Sequence, residues 1–225
     1  MKVYEAKPDG GASAAVIVIQ EAFGVNDHIE DVTRRFADAG YHAVAPHIFH
    51  RAGGGTAPYD DFSKVLPLFK GLSDGGILDD VDATLAALRE RGIDDARVGI
   101  VGFCFGGRVT FLVAARRAIG AAVGFYGGGV VTARIPPFEP LVGEAATLAT
   151  PWLGLFGDLD ESIPVDDVEQ LRKALTDATV DTDIVRYPNA GHGFHCDQRP
   201  GYVADAAADG WQRTLDWFAA HGVAP

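Results

Sequence analysis

Short apolar runs rich in β-branched residues, alternating with segments of helical spacing, constrain the fold of this chain more than any other feature. Residues 14–19 (AAVIVI) are apolar throughout, as a strand buried on both faces must be. Residues 29–39 follow with helical periodicity and a stop at Gly40. Residues 41–45 (YHAVA) predict the next strand, closed by Pro46. A glycine-rich loop, RAGGGTAP, leads to a short helix over 62–72, and Ile77, Val81, Leu85 and Leu88 share one side of a helix over 77–91. Further strands are predicted over 97–101, 121–126, 151–156 and 182–187, with helices over 108–117, 165–178 and 204–220. Residues 127–150 contain Pro136, Pro137 and Pro140 and are expected to be mostly loop. Strand–helix alternation of this kind implies an α/β fold: a mostly parallel central sheet with helices on both faces. In such sheets ligands sit beyond the carboxyl ends of the strands.

The chain is long enough for one domain spanning residues 1–225, and no linker, repeat or low-complexity tract divides it. A formal net charge of −12 argues against nucleic acid or an anionic membrane as partner. Two cysteines cannot build a disulfide framework, which suits a reducing compartment. The opening MKVYEAKPDGG lacks an apolar stretch of signal-peptide length, and no later run reaches membrane-spanning length. The expectation is a cytoplasmic protein.

The active edge of the predicted sheet collects the chemically interesting residues. After the strand over 97–101 comes Gly102-Phe103-Cys104-Phe105-Gly106, then Gly107 and a helix. This is the G-x-nucleophile-x-G arrangement of a nucleophile elbow. The turn is so sharp that its central residue is strained and its flanking positions have no room for a β-carbon. Cys104 then stands above the sheet at a helix N-terminus, where the dipole favours a thiolate. The alternative is a buried free cysteine in a glycine-containing turn.

The acid and base follow in the order an α/β-hydrolase requires. Gly157-Asp158-Leu159-Asp160 comes after the strand over 151–156, and Asn189-Ala190-Gly191-His192 after the strand over 182–187. Singly, these are ordinary turn residues; jointly, three residue types in order at three strand ends predict a catalytic triad. His192 would accept the thiol proton, and Asp160 would fix the imidazole tautomer. Asp158 competes with Asp160 for that place. The Phe105 backbone N–H is the expected first oxyanion donor and that of Ala22 a second. Glu21, just past the strand over 14–19, is either a further active-edge carboxylate or a solvated loop residue.

At these four strand ends the sequence resembles the dienelactone hydrolase family. QEAFGVN, GFCFGG, GDLDESIP and NAGHGF match its segments in order over nearly the whole chain. The resemblance implies an α/β-hydrolase fold and a small ester or lactone substrate opened through an acyl-enzyme, with no metal or cofactor. It assigns the triad to Cys104, His192 and Asp160, and gives Glu21 a contact with the resting Cys104 thiol and a part in its deprotonation. The sequence also departs from the family. Members that cleave dienelactone hold its carboxylate with two arginines, one in the region of 58–62 and one four residues past the histidine. Here those places read PYDDF and Cys196. Losing both guanidinium groups removes most of that recognition, so an ester or lactone other than dienelactone is expected.

Arg51 and Arg199 are candidates to reach the pocket from other positions, and Tyr126 ends a strand beside it. Phe49, Tyr59, Phe62, Phe69, Phe138 and Tyr202 are further aromatic candidates. His195, Cys196 and Asp197 suggest a metal site only weakly, because adjacent loop residues seldom converge on one ion. The alternative to an enzyme is a thiol redox sensor or ligand-binding protein, with Cys104 oxidised and Cys196 resolving.

Overall fold

The computed structural model describes residues 1–225. Seven strands form one sheet in the order β1-β3-β2-β4-β5-β6-β7. They are β1 (Val3–Ala6), β2 (Ala15–Ile19), β3 (His42–Pro46), β4 (Val98–Phe103), β5 (Ala121–Phe125), β6 (Trp152–Gly157) and β7 (Thr182–Tyr187). Only β1 runs antiparallel, against β3; every other pairing is parallel. Six α-helices connect them: α1 (Asp27–Asp38), α2 (Val65–Leu68), α3 (Asp74–Arg89), α4 (Phe105–Arg116), α5 (Val165–Ala174) and α6 (Ala204–Ala220).

Strands β2 to β6 are buried at every position. Helices cover both faces, and the uninterrupted apolar strands are the sequence-level consequence. Between α4 and the sheet, Trp152 donates its indole N–H to the Thr110 hydroxyl at 3.2 Å, so the polar edge of the largest core side chain is satisfied. Phe103 and Phe125, paired across β4 and β5, stack at 4.9 Å.

The sequence reading misses β1. Its residues, VYEA, are two exposed and two half-buried positions at the sheet edge, too short and too polar to stand out. The observed β4 runs two residues beyond the predicted strand, and α4 begins three residues before the predicted helix. Both boundaries meet at Cys104. The helix expected over 62–72 is a 3₁₀ turn, Phe62–Lys64, followed by the single turn of α2. The topology reverses between β2 and β4: β2 passes to β3 on one side, while β4 begins the run to β7 on the other. Ile19 is in register with Gly102, so the chain after β2 and the chain after β4 leave the sheet side by side.

Two buried imidazoles lie behind this point. His195 packs 4.9 Å from Phe103 and 5.0 Å from Phe125, and His28 lies 5.8 Å from His195. Burial, with the charge of His28 next, pushes His195 down to about 3. Burial also lowers His28, against the opposing pull of Glu21 and Asp197. A histidine depressed in the fold binds its proton more readily when unfolded. Its contribution is therefore intact above the ordinary value of about 6.5 and is lost as pH falls from there toward 3. Replacing His195 with Leu is expected to flatten the loss of stability over that acid window, read as denaturation midpoints at about pH 7 and pH 4.5. An equal fall in both proteins would remove His195 as the source.

Candidate active site

Local sequence dictates the first element. Cys104 joins β4 to α4 with φ 54° and ψ −113°, a conformation L-residues avoid at a cost of about 1–3 kcal/mol. The glycines around it leave no alternative packing. A β-carbon on Gly102 would collide with the Gly106 carbonyl, one on Gly106 with the Ile19 carbonyl, and one on Gly107 would lie 2.6 Å from the Phe125 carbonyl. The Cys104 N–H donates to the Phe125 carbonyl at 3.0 Å, anchoring the turn to β5. Phe105 is the first residue of α4, and first-turn N–H groups have no acceptor within their own helix.

The carboxylate–imidazole pair comes from the loops after β6 and β7. His192 Nδ1 lies 2.6 Å from Asp160 Oδ2. Asp160 is buried, and its other oxygen accepts from the Ser162 N–H at 2.8 Å, the Ser162 hydroxyl at 2.6 Å and the Ile163 N–H at 3.2 Å. Ser162, which the sequence reading did not single out, thus holds the carboxylate that holds the imidazole. Asp158 is turned away into a bidentate pair with Arg186, at 2.7 and 2.9 Å. Of the two candidate acids, only Asp160 reaches the histidine.

Cys104, His192 and Ser162 share the lining of a cavity of about 350 Å³ with Ala22, Phe62 and Phe105. Gly128, Gly129, Ile135 and Phe138 close its other wall, with Arg108 and Arg134. Of the six aromatic candidates read from the sequence, Phe62 and Phe138 line this cavity.

Glu21 is fully buried just past β2. It makes no hydrogen bond to the Cys104 thiol. Its only side-chain partner is Arg199, whose Nη1 lies 3.5 Å from Oε1, while Oε2 has none. The expected resting contact with Cys104 is replaced by this ion pair, because a buried carboxylate is stabilised more by a guanidinium than by a neutral thiol. Arg199 also sits over the Tyr59 ring at 5.3 Å and the Phe23 ring at 5.5 Å, behind the cavity lining. Arg51 lies further off, paired with Asp80 on α3. Tyr126 has φ 39° and is fully buried, its ring 5.1 Å from that of His192 and its hydroxyl without a partner. Neither arginine candidate nor Tyr126 is part of the cavity wall.

With this geometry in place, comparison with known proteins is decisive on ancestry. The model of the dienelactone hydrolase family matches residues 1–222. The chain belongs to the dienelactone hydrolase family. A relative from Yersinia pestis, provisionally named a carboxymethylenebutenolidase, is 43% identical over 229 residues, covering 99% of this chain and 85% of its own length. The carboxymethylenebutenolidase of Pseudomonas putida is 32% identical over 216 residues, covering 92% of this chain and 86% of its own. Among solved structures, a provisionally named dienelactone hydrolase from Klebsiella pneumoniae superposes with a TM-score of 0.88 at 41% identity, covering 96% of this chain and 92% of that one. The α/β-hydrolase fold implied by the resemblance is the fold of this chain.

In this member of the dienelactone hydrolase family, the charges around His192 act on one another. Burial works against the His192 imidazolium, but charge on Cys104 and the hydrogen bond to Asp160 outweigh it and raise His192 to about 10. Burial also raises Asp160, yet its bonds to His192 and Ser162 hold it below the usual carboxylate range. A histidine raised in the fold adds stability that is complete below about 6.5 and disappears as pH climbs through about 10. The melting-temperature gap between wild type and His192→Ala is therefore expected to be constant near pH 6 and to shrink between pH 6.5 and 10. The same gap at pH 6 and pH 9.5 would show that no imidazolium is held there.

Proposed function

We propose that this chain hydrolyses small esters or lactones through a Cys104–His192–Asp160 triad and an acyl-enzyme. The observation that carries the reading is the 2.6 Å Asp160–His192 contact at the rim of the cavity into which the strained Cys104 turn opens. A histidine that holds its proton this firmly is a competent base for a thiol. Asp160 fixes the Nδ1–H tautomer and leaves Nε2 for Cys104.

In the first half-reaction the thiol proton already rests on His192, and Sγ attacks the acyl carbon as the thiolate. The tetrahedral oxyanion takes hydrogen bonds from the N–H groups of Phe105, at the start of α4, and Ala22, just past β2. His192 then returns the proton to the departing alkoxide, leaving a thioester on Cys104. In a lactone the alkoxide stays tethered to the acyl group. Water, deprotonated by His192, attacks the thioester and releases the acid. Glu21 is a second acceptor for the thiol proton. It acts on Cys104 only when it leaves Arg199, which costs it the ion pair that holds its buried charge.

The mainly apolar lining and the cavity volume suit a small acyl group. The redox-sensor alternative finds little support. Cys196 is fully buried, donates its S–H to the Tyr59 hydroxyl at 3.4 Å and is pushed up by burial, whereas a resolving thiol must be accessible and readily ionised.

The test is hydrolysis of p-nitrophenyl acetate. Cys104→Ala and His192→Ala are each expected to lower kcat/KM at least about a thousandfold, and Asp160→Asn about a hundredfold or more. A Cys104→Ala protein that keeps its activity sinks the proposal, as does a wild type inert on a broad panel of esters and lactones. Cys104→Ser separates the part played by Glu21. Near-normal activity with serine would mean that proton transfer to Glu21, which depends on thiol acidity, contributes nothing.

A further inference from the structure

The mouth of the cavity carries apolar surface that the triad does not need. Residues 62–69 wind right-handed, first as the 3₁₀ turn Phe62–Lys64 and then as α2. Residues four apart on such a run are neighbours, so Phe62 pairs with Leu66 and Val65 with Phe69 along it. Val65 and Phe69 are buried, and the Phe69 ring lies 4.7 Å from that of Phe105 in the cavity lining. Phe62 and Leu66, on the flank of the same face, are 55% and 60% exposed. The apolar face of this segment is wider than the core beneath it.

Phe62 also lines the cavity with Cys104, so it stands where that cavity opens to solvent, its ring edge-on to that of Phe23 at 6.3 Å. Both arginines of the lining are paired with carboxylates, Arg108 with Asp74 and Arg134 with Asp167. Phe105, Ile135 and Phe138 therefore set the character of the wall, and Phe62 and Leu66 continue it outward. Single exposed apolar side chains need no explanation; a pair that extends an apolar cavity does.

We propose that Phe62 and Leu66 form a ledge for the alcohol part of the substrate, which selects esters of unbranched apolar alcohols and lactones with an alkyl tail on the oxygen-bearing carbon. The inference rests on the hydrolase reading of the site. The chemistry fixes which end of the ester lies there. When the acyl C–O bond breaks, the acyl group stays in the cavity as a thioester on Cys104. The alkoxide takes the proton from His192 and leaves as the alcohol through the opening. A chain on that oxygen lies across the mouth, where the ledge stands. In a lactone the same carbon carries the tail, so a substituted ring presents it to the same surface. Contact removes water from both chain and ledge. The chain is remote from the reacting atoms and is held equally in ground and transition states, so the effect falls on KM.

The experiment compares hexyl acetate with ethyl acetate, and γ-decalactone with γ-valerolactone, each below its solubility limit, by acid release at constant pH. Within each pair only the chain on the alcohol side differs. The wild type is expected to favour the longer chain about tenfold or more in kcat/KM, through KM. With Phe62→Ser and Leu66→Ser together, that ratio is expected to fall about tenfold, whereas Phe62→Leu, which keeps the surface apolar, retains most of it. A ratio that the double substitution leaves unchanged overturns the proposal while the hydrolase reading stands. So does a preference confined to the acyl side, read with p-nitrophenyl octanoate against p-nitrophenyl acetate. A rate that rises only once the ester separates as droplets also overturns it, since the pair would then adsorb to an interface rather than hold one chain.

A second measurement keeps the two readings apart. Calorimetry on Cys104→Ala reads binding of intact hexyl acetate and does not depend on turnover. Adding Phe62→Ser and Leu66→Ser is expected to weaken that binding about tenfold and to make its heat-capacity change less negative. Equal binding refutes the ledge. If the wild type cleaves none of these compounds, the hydrolase reading fails and the binding arm alone decides the role of Phe62 and Leu66.

Discussion

Everything at this site depends on how closely α4 approaches β2 and β4. The turn at Cys104 brings the helix so near the sheet that three glycines are sterically required, at 102, 106 and 107. That approach leaves Cys104 with a positive φ and its thiol above the strand ends. It also sets the free N–H groups of the first turn of α4 next to the chain leaving β2, because Ile19 is in register with Gly102. The placement of Cys104, of the first-turn N–H groups of α4 and of the buried Glu21 therefore follows from one packing constraint, and the strain at Cys104 is balanced by the hydrogen bond to Phe125 and the core beneath it.

The two sides of the cavity use charge differently. Beside Cys104, His192 and Asp160 stabilise each other's ionised forms, and Ser162 completes the carboxylate's hydrogen bonds. Glu21 and Arg199 form a longer pair at 3.5 Å, with the second carboxylate oxygen unpartnered. Elsewhere in the lining Arg108 donates to both Asp74 oxygens and the Glu139 carbonyl, though its Nε has no partner, while Arg134 pairs with Asp167 alone.

Much of this was legible in the sequence, and the reasons are local. The strand–helix alternation over 14–19, 97–101, 151–156 and 182–187 follows from periodicity alone, so six of the seven strands and the parallel sheet could be read directly. Strand β1 could not, because four residues at half exposure carry no periodic signal. The turn glycines and Cys104 sit in one short stretch where backbone geometry demands those residue types, and Asp160 and His192 stand at strand ends. The choice between Asp158 and Asp160 needed the structure, since only the position of Arg186 on β7 shows which carboxylate is already engaged.

The sequence by itself determined the sheet, the tight turn at Cys104 and the placing of Asp160 and His192 at strand ends, because each rests on contacts within a few residues or on a period repeated along the chain. The tertiary structure decided what surrounds them. It put Arg199 on Glu21 where a thiol contact was expected, left Arg51 on Asp80 outside the cavity, and brought Arg134 into it from a proline-bounded loop. Which long side chains meet across a cavity depends on how loops between distant strands pack, and no local pattern encodes that packing.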